Sequence, residues 1–207
     1  IEILYQDAHI LLINKPTRLL SLSGKHPLNK DSVHYRLVKN FPSATLVHRL
    51  DFGTSGIMLV ALNKEVNGLL TKQFQARTMH KTYTAILHGR VPENEGNIDY
   101  PIAKDRPNFP LQKICQNEGK HALTNYEVLS RDDTKDVTRV LFTPVTGRTH
   151  QLRIHSQTFG YPILGCDLYA SDAAFLMADR LMLHATSLEF DHPVTKDKIS
   201  GQCPCPF

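Results

Sequence analysis

The sequence predicts an α+β fold, and three observations predict it. Segments of strand character come in neighbouring pairs, only a few segments carry helical periodicity, and the two kinds do not alternate strictly. Hairpin-forming strands with a few interspersed helices argue against a doubly wound parallel sheet, in which strands and helices alternate. The first pair lies within Ile1–Pro16, two short strands around a turn at Gln6-Asp7, the second being His9–Asn14. Residues 17–46 are polar and punctuated by Pro27 and Pro42, with a short helix expected at Ser32–Val38. A strand–turn–strand around Asp51 follows, its second limb the apolar run Ile57–Leu62. From Lys64 to Ala76, Val66, Leu69, Leu70 and Phe74 recur at helical spacing. Lys81–Leu87 is rich in β-branched and aromatic residues and returns to strand. Residues 91–122, holding Pro92, Pro101, Pro107 and Pro110, read as loops. Strands are expected at Thr124–Leu129 and Val137–Thr143, turning at Asp132-Asp133. A helix is expected at Thr149–Phe159 with Thr149 as its N-cap, and a last strand at Leu181–Phe190 before a Pro-rich tail.

A chain of 207 residues is long enough for one large domain or two small ones. Its 41% apolar and 21% charged residues describe a soluble globular protein. No apolar run approaches a membrane span and nothing resembles a signal peptide. The start at Ile1 rather than Met points to a trimmed chain. Cys115, Cys166, Cys203 and Cys205 show no CxxC spacing, and the pair at 203 and 205 is too isolated for a zinc site. They read as reduced thiols of a cytoplasmic protein. A net charge of +4, with eleven histidines besides, permits a nucleic-acid partner without demanding one. Trp is absent, so any base stacking falls to Tyr, Phe, His or Arg.

Two stretches carry chemistry. In Val47–Leu59, Asp51 leaves an apolar lead-in and enters a Gly/Thr/Ser turn. A carboxylate held at a strand end yet open to a ligand is well presented for catalysis, and a turn-capping role explains the same residue types. In Thr146–His155, two Arg and two His fall within eight residues. On the expected helix His150, Arg153 and Gln157 share a face distinct from Leu152 and Phe159. Such an arginine suits a carboxylate or a phosphate, while a solvated basic face is the plainer outcome. His150 and His155 are five apart and no HExxH is present, so no metal is expected. Gly53-Thr54-Ser55-Gly56 lacks the spacing of a hydrolase nucleophile elbow. Tyr83 shares a strand face with Ala85 and Leu87, where a tyrosine serves either as core or as a ring that stacks on a base.

Taken together the segments resemble the RluA-type family of RNA pseudouridine synthases. The resemblance is carried by Asn14-Lys15-Pro16, by His48-Arg49-Leu50-Asp51 with Thr54-Ser55-Gly56, and by Lys81-Thr82-Tyr83-Thr84-Ala85. It continues through Thr146–His155, Pro162-Ile163-Leu164-Gly165 and Leu183-His184-Ala185, in the family's order and over essentially the whole chain. It is nearest to members without a small N-terminal RNA-binding (S4) domain. It implies a single catalytic domain over residues 1–207, with a mixed, largely antiparallel sheet in two abutting halves, flanking helices and loops, and a basic central cleft. Asp51 matches the catalytic aspartate, Arg153 the arginine that pairs with it, Tyr83 the tyrosine that stacks on the target uracil. Arg49 matches a residue that displaces the target base, and His48, Arg148, His150, Lys104, Arg106 and Lys113 are expected at the RNA. The implied partner is RNA, either large-subunit rRNA or tRNA anticodon stem-loops or both, met by a monomer with no cofactor.

That chemistry fits the residue types. Uridine must lose its N1–C1′ bond, turn its base over and rejoin through C5. A carboxylate can attack C1′ or stabilise its cleavage, as a glycosidase nucleophile does, and a neighbouring arginine keeps it ionised. Three departures from the family pattern stand out. Arg18 occupies the place of a glycine, which requires that turn to be made differently; Cys166 interrupts Leu-Gly-Asp; and Phe109 and Leu111 are apolar where basic residues are usual. The competing reading is an RNA-binding or RNA-folding protein on the same scaffold without catalysis. A carboxylate facing polyanionic RNA argues against it.

Overall fold

The apolar runs Ile10–Ile13 and Ile57–Ala61 are buried throughout, as expected of strands covered on both faces. They anchor a sheet in the computed structural model, which describes residues 1–207. In chain order the elements begin with β1 (Glu2–Gln6), β2 (Ile10–Lys15), α1 (Val33–Leu37), β3 (Thr45–Leu46), β4 (Ser55–Ala61) and α2 (Lys64–Ala76). Next come β5 (His80–His88), β6 (Glu95–Asp99), β7 (Ile102–Lys104), β8 (Gln112–Ile114), β9 (Leu123–Asp132) and β10 (Val137–Pro144). The chain ends with α3 (Gln151–Thr158), α4 (Asp172–Leu176), β11 (Leu183–Asp191) and β12 (Lys198–Gln202). It divides into two compact units, one of Ile1–Lys81 with His184–Phe207 and one of Thr82–Leu183.

In the first unit the strands run β1-β2-β4-β11, with β12 on β11. Asp7 makes the β1–β2 turn, its Oδ1 accepting from the backbone N–H groups of His9 at 2.7 Å and Ile10 at 2.9 Å. One edge of β4 carries β2, antiparallel. Its other edge is shared lengthwise, Val60 and Ala61 taking β3, and Ser55 and Gly56 taking β11 in parallel. This short parallel pair makes the sheet mixed. Both helices of the unit are capped at their N-termini by side chains, Ser32 for α1 and Asn63 for α2. Arg77 closes α2 in the left-handed conformation, φ 57°.

The second unit pairs β5-β10-β9-β6, all antiparallel, with β7–β8 as a separate hairpin. Its core gathers Ala85, Leu87, Val140, Phe142, Leu152 and Ile154, with Tyr83 packed partly buried against them. The expected loop region 91–122 therefore holds three strands. Sequence periodicity misses them for physical reasons: β6 is a polar edge strand with only Ile98 buried, and β7 and β8 span three residues each. The same holds for β12, Lys-Ile-Ser-Gly-Gln, which owes its strand to pairing with β11. The five-residue α4, which begins after the Ser171 N-cap, is also absent from the sequence reading.

Candidate active site

Asp51 sits in an irregular segment between β3 and β4, and neighbouring groups hold that segment almost residue by residue. Ser21 and Leu50 form a reciprocal pair, the hydroxyl donating to the Leu50 carbonyl at 2.7 Å and accepting from its N–H at 3.1 Å. The Thr17 hydroxyl donates to the Gly53 carbonyl at 2.7 Å. Lys15, fully buried, donates from Nζ to the carbonyl oxygens of Leu19 at 2.7 Å, Pro16 at 3.0 Å and Phe52 at 3.3 Å. The turn itself closes through the main chain, Thr54 N–H donating to the Asp51 carbonyl at 3.1 Å. An ammonium deep in the protein is stable only when its donors are met, so the Asn14-Lys15-Pro16 segment is bound to the shape of the Asp51 loop. Arg18, the residue expected to change the preceding turn, takes φ 57°, the left-handed backbone that glycine adopts without cost. The arginine accepts the strained conformation instead of rerouting the chain.

His48, expected at the RNA, has its ring committed to the scaffold. Its Nε2 accepts from Leu59 N–H at 3.0 Å, which leaves Nδ1 to carry the proton, and its ring lies 5.0 Å from that of Phe74. Burial, with a smaller contribution from the Lys81 charge, pushes the imidazole down from 6.5 to about 3. The unfolded chain therefore takes up a proton near pH 6.5 that the folded protein refuses. Stability from this group is full above pH 6.5 and is lost as the pH falls toward 3. His48→Gln, which keeps an acceptor for Leu59, is expected to flatten this part of the acid response in urea midpoints measured from pH 7 to 4. Parallel curves for the two proteins would contradict it. Arg49, next in sequence, is exposed.

In the second unit the helix expected at Thr149 begins two residues later. His150 occupies the N-cap with φ 55° and no side-chain capping bond, so Thr149 does not cap it. Gln151 organises the turn instead. Its Oε1 accepts from the Thr146 hydroxyl at 2.8 Å and Arg148 N–H at 2.9 Å, and its Nε2 donates to the Leu123 carbonyl at 3.1 Å and Thr124 Oγ1 at 3.0 Å. The side chain of Arg148 donates from Nε to the His121 carbonyl at 2.9 Å. The basic face expected on this helix is not a solvated one, because Gln151–Ser156 are all buried and Arg153 is only 5% exposed. Its guanidinium donates from Nη2 to Asp167 Oδ1 at 2.5 Å and from Nε to Cys166 Sγ at 3.4 Å. It also lies 5.5 Å from the centroid of the Tyr169 ring. The Tyr169 hydroxyl bonds His150 Nδ1 at 2.8 Å and accepts from Gln112 N–H at 2.9 Å. Asp167 and Tyr169 were not among the residues expected at the site; the adjacency of Cys166-Asp167 to the Leu164-Gly165 motif was their only signal. Tyr83 lies on β5 opposite Phe142, half-buried. Lys104, Arg106 and Lys113 are exposed on and around the β7–β8 hairpin.

The family model described as RNA pseudouridylate synthase matches residues 9–158. The chain belongs to that family. Among its relatives is a dual-specificity RNA pseudouridine synthase RluA of Yersinia pestis, 48% identical over 205 residues that cover 99% of each chain. The RluA of Escherichia coli K12 is 45% identical over 207 residues, 99% of this chain and 93% of that one. The structure is similar to that of human RNA pseudouridylate synthase domain containing 1, with a TM-score of 0.83, 31% identity, and coverage of 100% of this chain and 84% of the other. The human domain containing 4 protein follows at a TM-score of 0.76 and 25% identity, over 99% and 88% of the two chains. The fold is thus a pseudouridine synthase fold, of the α+β class the strand pattern implies. No helix is long and apolar enough to cross a membrane.

Proposed function

We propose that the protein isomerises uridine to pseudouridine in structured RNA, as a cytoplasmic monomer without a cofactor, residues 1–207 serving as one catalytic domain. The observation that carries this reading is the clamp on the Asp51 loop. Lys15, Thr17 and Ser21, 29 to 37 residues upstream of their partners, hold the carbonyls of Phe52, Gly53 and Leu50. A residue that merely capped a turn would need no such support; one that must meet a sugar carbon in a set direction does.

Asp51 acts at C1′ of the target nucleoside, where N1–C1′ cleavage builds positive charge that a carboxylate stabilises or traps. The base then rotates and C5 takes the place of N1, after which the C5 proton leaves. Tyr83 stacks on the uracil, and its phenol stands as the candidate base or relay for that proton. Arg153 is the cation that the resemblance pairs with the carboxylate, and Asp167 and Cys166 fix the plane of its guanidinium. Asp167→Asn, which weakens that hold, is expected to lower kcat/KM about ten-fold, since small misplacements of a positioning group carry costs of that order. An unaltered pH–rate profile and rate in single-turnover assays would contradict it. Arg49 enters the RNA as the target base leaves, and Arg148 and His150 lie along the phosphates with Lys104, Arg106 and Lys113. Extruding the base costs roughly a few kcal/mol, which the stacking ring and the inserted arginine offset. The relatives carry the name dual-specificity RNA pseudouridine synthase, which agrees with action on more than one RNA, and large-subunit rRNA and tRNA stem-loops are the substrates proposed.

Mapping pseudouridine by carbodiimide adduct stops, in unmodified tRNA and large-subunit rRNA transcripts incubated with the protein, tests the reading. New stops at discrete uridines in either RNA support it. Transcripts bound but left without stops would favour the non-catalytic alternative.

A further inference from the structure

The β7–β8 hairpin ends in a tip whose shape is fixed by its own bonds. Asp105 N–H donates to the Leu111 carbonyl at 3.0 Å, Leu111 N–H to the Asn108 carbonyl at 2.9 Å, and Asn108 N–H to the Asp105 carbonyl at 3.1 Å. The Asn108 amide also donates to Asp105 Oδ2 at 2.9 Å, which occupies the one acid of the tip. At the base of the hairpin, Gln112 N–H donates to the Tyr169 hydroxyl, the group that also holds His150, and Leu111 packs against the core of the second unit. From this anchored tip Phe109 projects with 88% of its surface exposed. A single exposed apolar side chain is ordinary on a protein surface, and what sets this one apart is the anchored tip that carries it and the cationic residues beside it. Lys104, Arg106 and Lys113 are exposed around it.

We propose that Phe109 is a stacking platform for an unpaired base of the substrate RNA, a loop nucleotide flanking the target uridine, while Lys104, Arg106 and Lys113 hold the phosphates on either side. The inference rests on the RNA-modifying reading above. The charge complements a polyanion, and the neutral ring amid it complements the one apolar surface that single-stranded RNA exposes, the face of a base. Stacking on an aromatic ring tolerates any base, so Phe109 contributes affinity and register for a loop more than choice of sequence.

The test uses unmodified tRNA and large-subunit rRNA stem-loop transcripts, with affinity measured across a salt series and turnover measured beside it. Phe109→Ala is expected to weaken binding about ten-fold, a typical loss for one stacked base, and to leave the dependence of affinity on salt unchanged. Phe109→Trp is expected to restore the affinity. Lys113→Ala is expected instead to reduce the salt slope by about one, as loss of a phosphate contact does. Affinity within two-fold of wild type in Phe109→Ala overturns the inference while leaving the RNA-modifying reading intact. A loss that Phe109→Trp does not restore marks damage to the tip and overturns it as well. Wild-type protein that neither binds nor modifies either RNA overturns both readings.

Discussion

Asp51→Asn is expected to reduce turnover by on the order of a thousand-fold or more while leaving RNA affinity within a few-fold of wild type. The substitution keeps the volume and hydrogen-bonding outline of the side chain and removes its charge, so the Lys15, Thr17 and Ser21 bonds to the loop, all to backbone atoms, persist. What disappears, on the mechanism proposed above, is the group that meets the developing charge at C1′, an interaction made chiefly in the transition state and hence visible in kcat. Binding should not suffer, because a negative charge opposes a polyanion. Single-turnover rates and filter-binding affinities measured side by side would check both halves, and a parallel loss of affinity would identify Asp51 as a structural residue.

A large effect on stability is expected at Gly56. It is the second residue of β4, takes φ 113° and lies beside Ala185 in the parallel pair with β11. A Cβ there would stand 2.2 Å from the Ala185 carbonyl oxygen and 2.6 Å from its nitrogen, both backbone atoms that cannot turn aside. Gly56→Ala combines left-handed strain with displacement of a strand, and a loss of about 3–4 kcal/mol is expected. That is a large part of the about 5–15 kcal/mol a domain possesses. The adjoining bonds suffer too, since Ser55 donates to His184 Nδ1 at 2.8 Å and His184 Nε2 donates to the Cys203 carbonyl at 3.0 Å. Urea unfolding measures it, and a change under about 1 kcal/mol would show that β4 and β11 adjust at no great cost.

Sequence patterns announce some parts of this molecule and conceal others, for physical reasons. Helix α2 was legible from Lys64 to Ala76 because its apolar stripe is regular. Strands β2 and β4 were legible because burial on both faces demands unbroken apolar runs. Strands β6, β7, β8 and β12 were not, since each gains its conformation from partner strands rather than from its own residues. Within the candidate site, Asp51 and Arg153 were conspicuous by residue type and motif. The roles of His48 and Gln151 were not, because a buried polar side chain satisfied by backbone groups looks in sequence like any other polar residue. Arg18 shows the reverse error, a side chain that breaks a glycine pattern while the backbone keeps the glycine conformation.

In the proposed mechanism Asp51 drives chemistry that ends in loss of the C5 proton of uridine. Tritium release from transcripts labelled at uridine C5, with wild type and Asp51→Asn compared at equal RNA occupancy, tests it most directly. Release by wild type from the tRNA or the rRNA transcript, and none above background with Asp51→Asn, is the predicted result. Release by Asp51→Asn at the wild-type rate, or none by wild type from RNA it binds, would contradict the account.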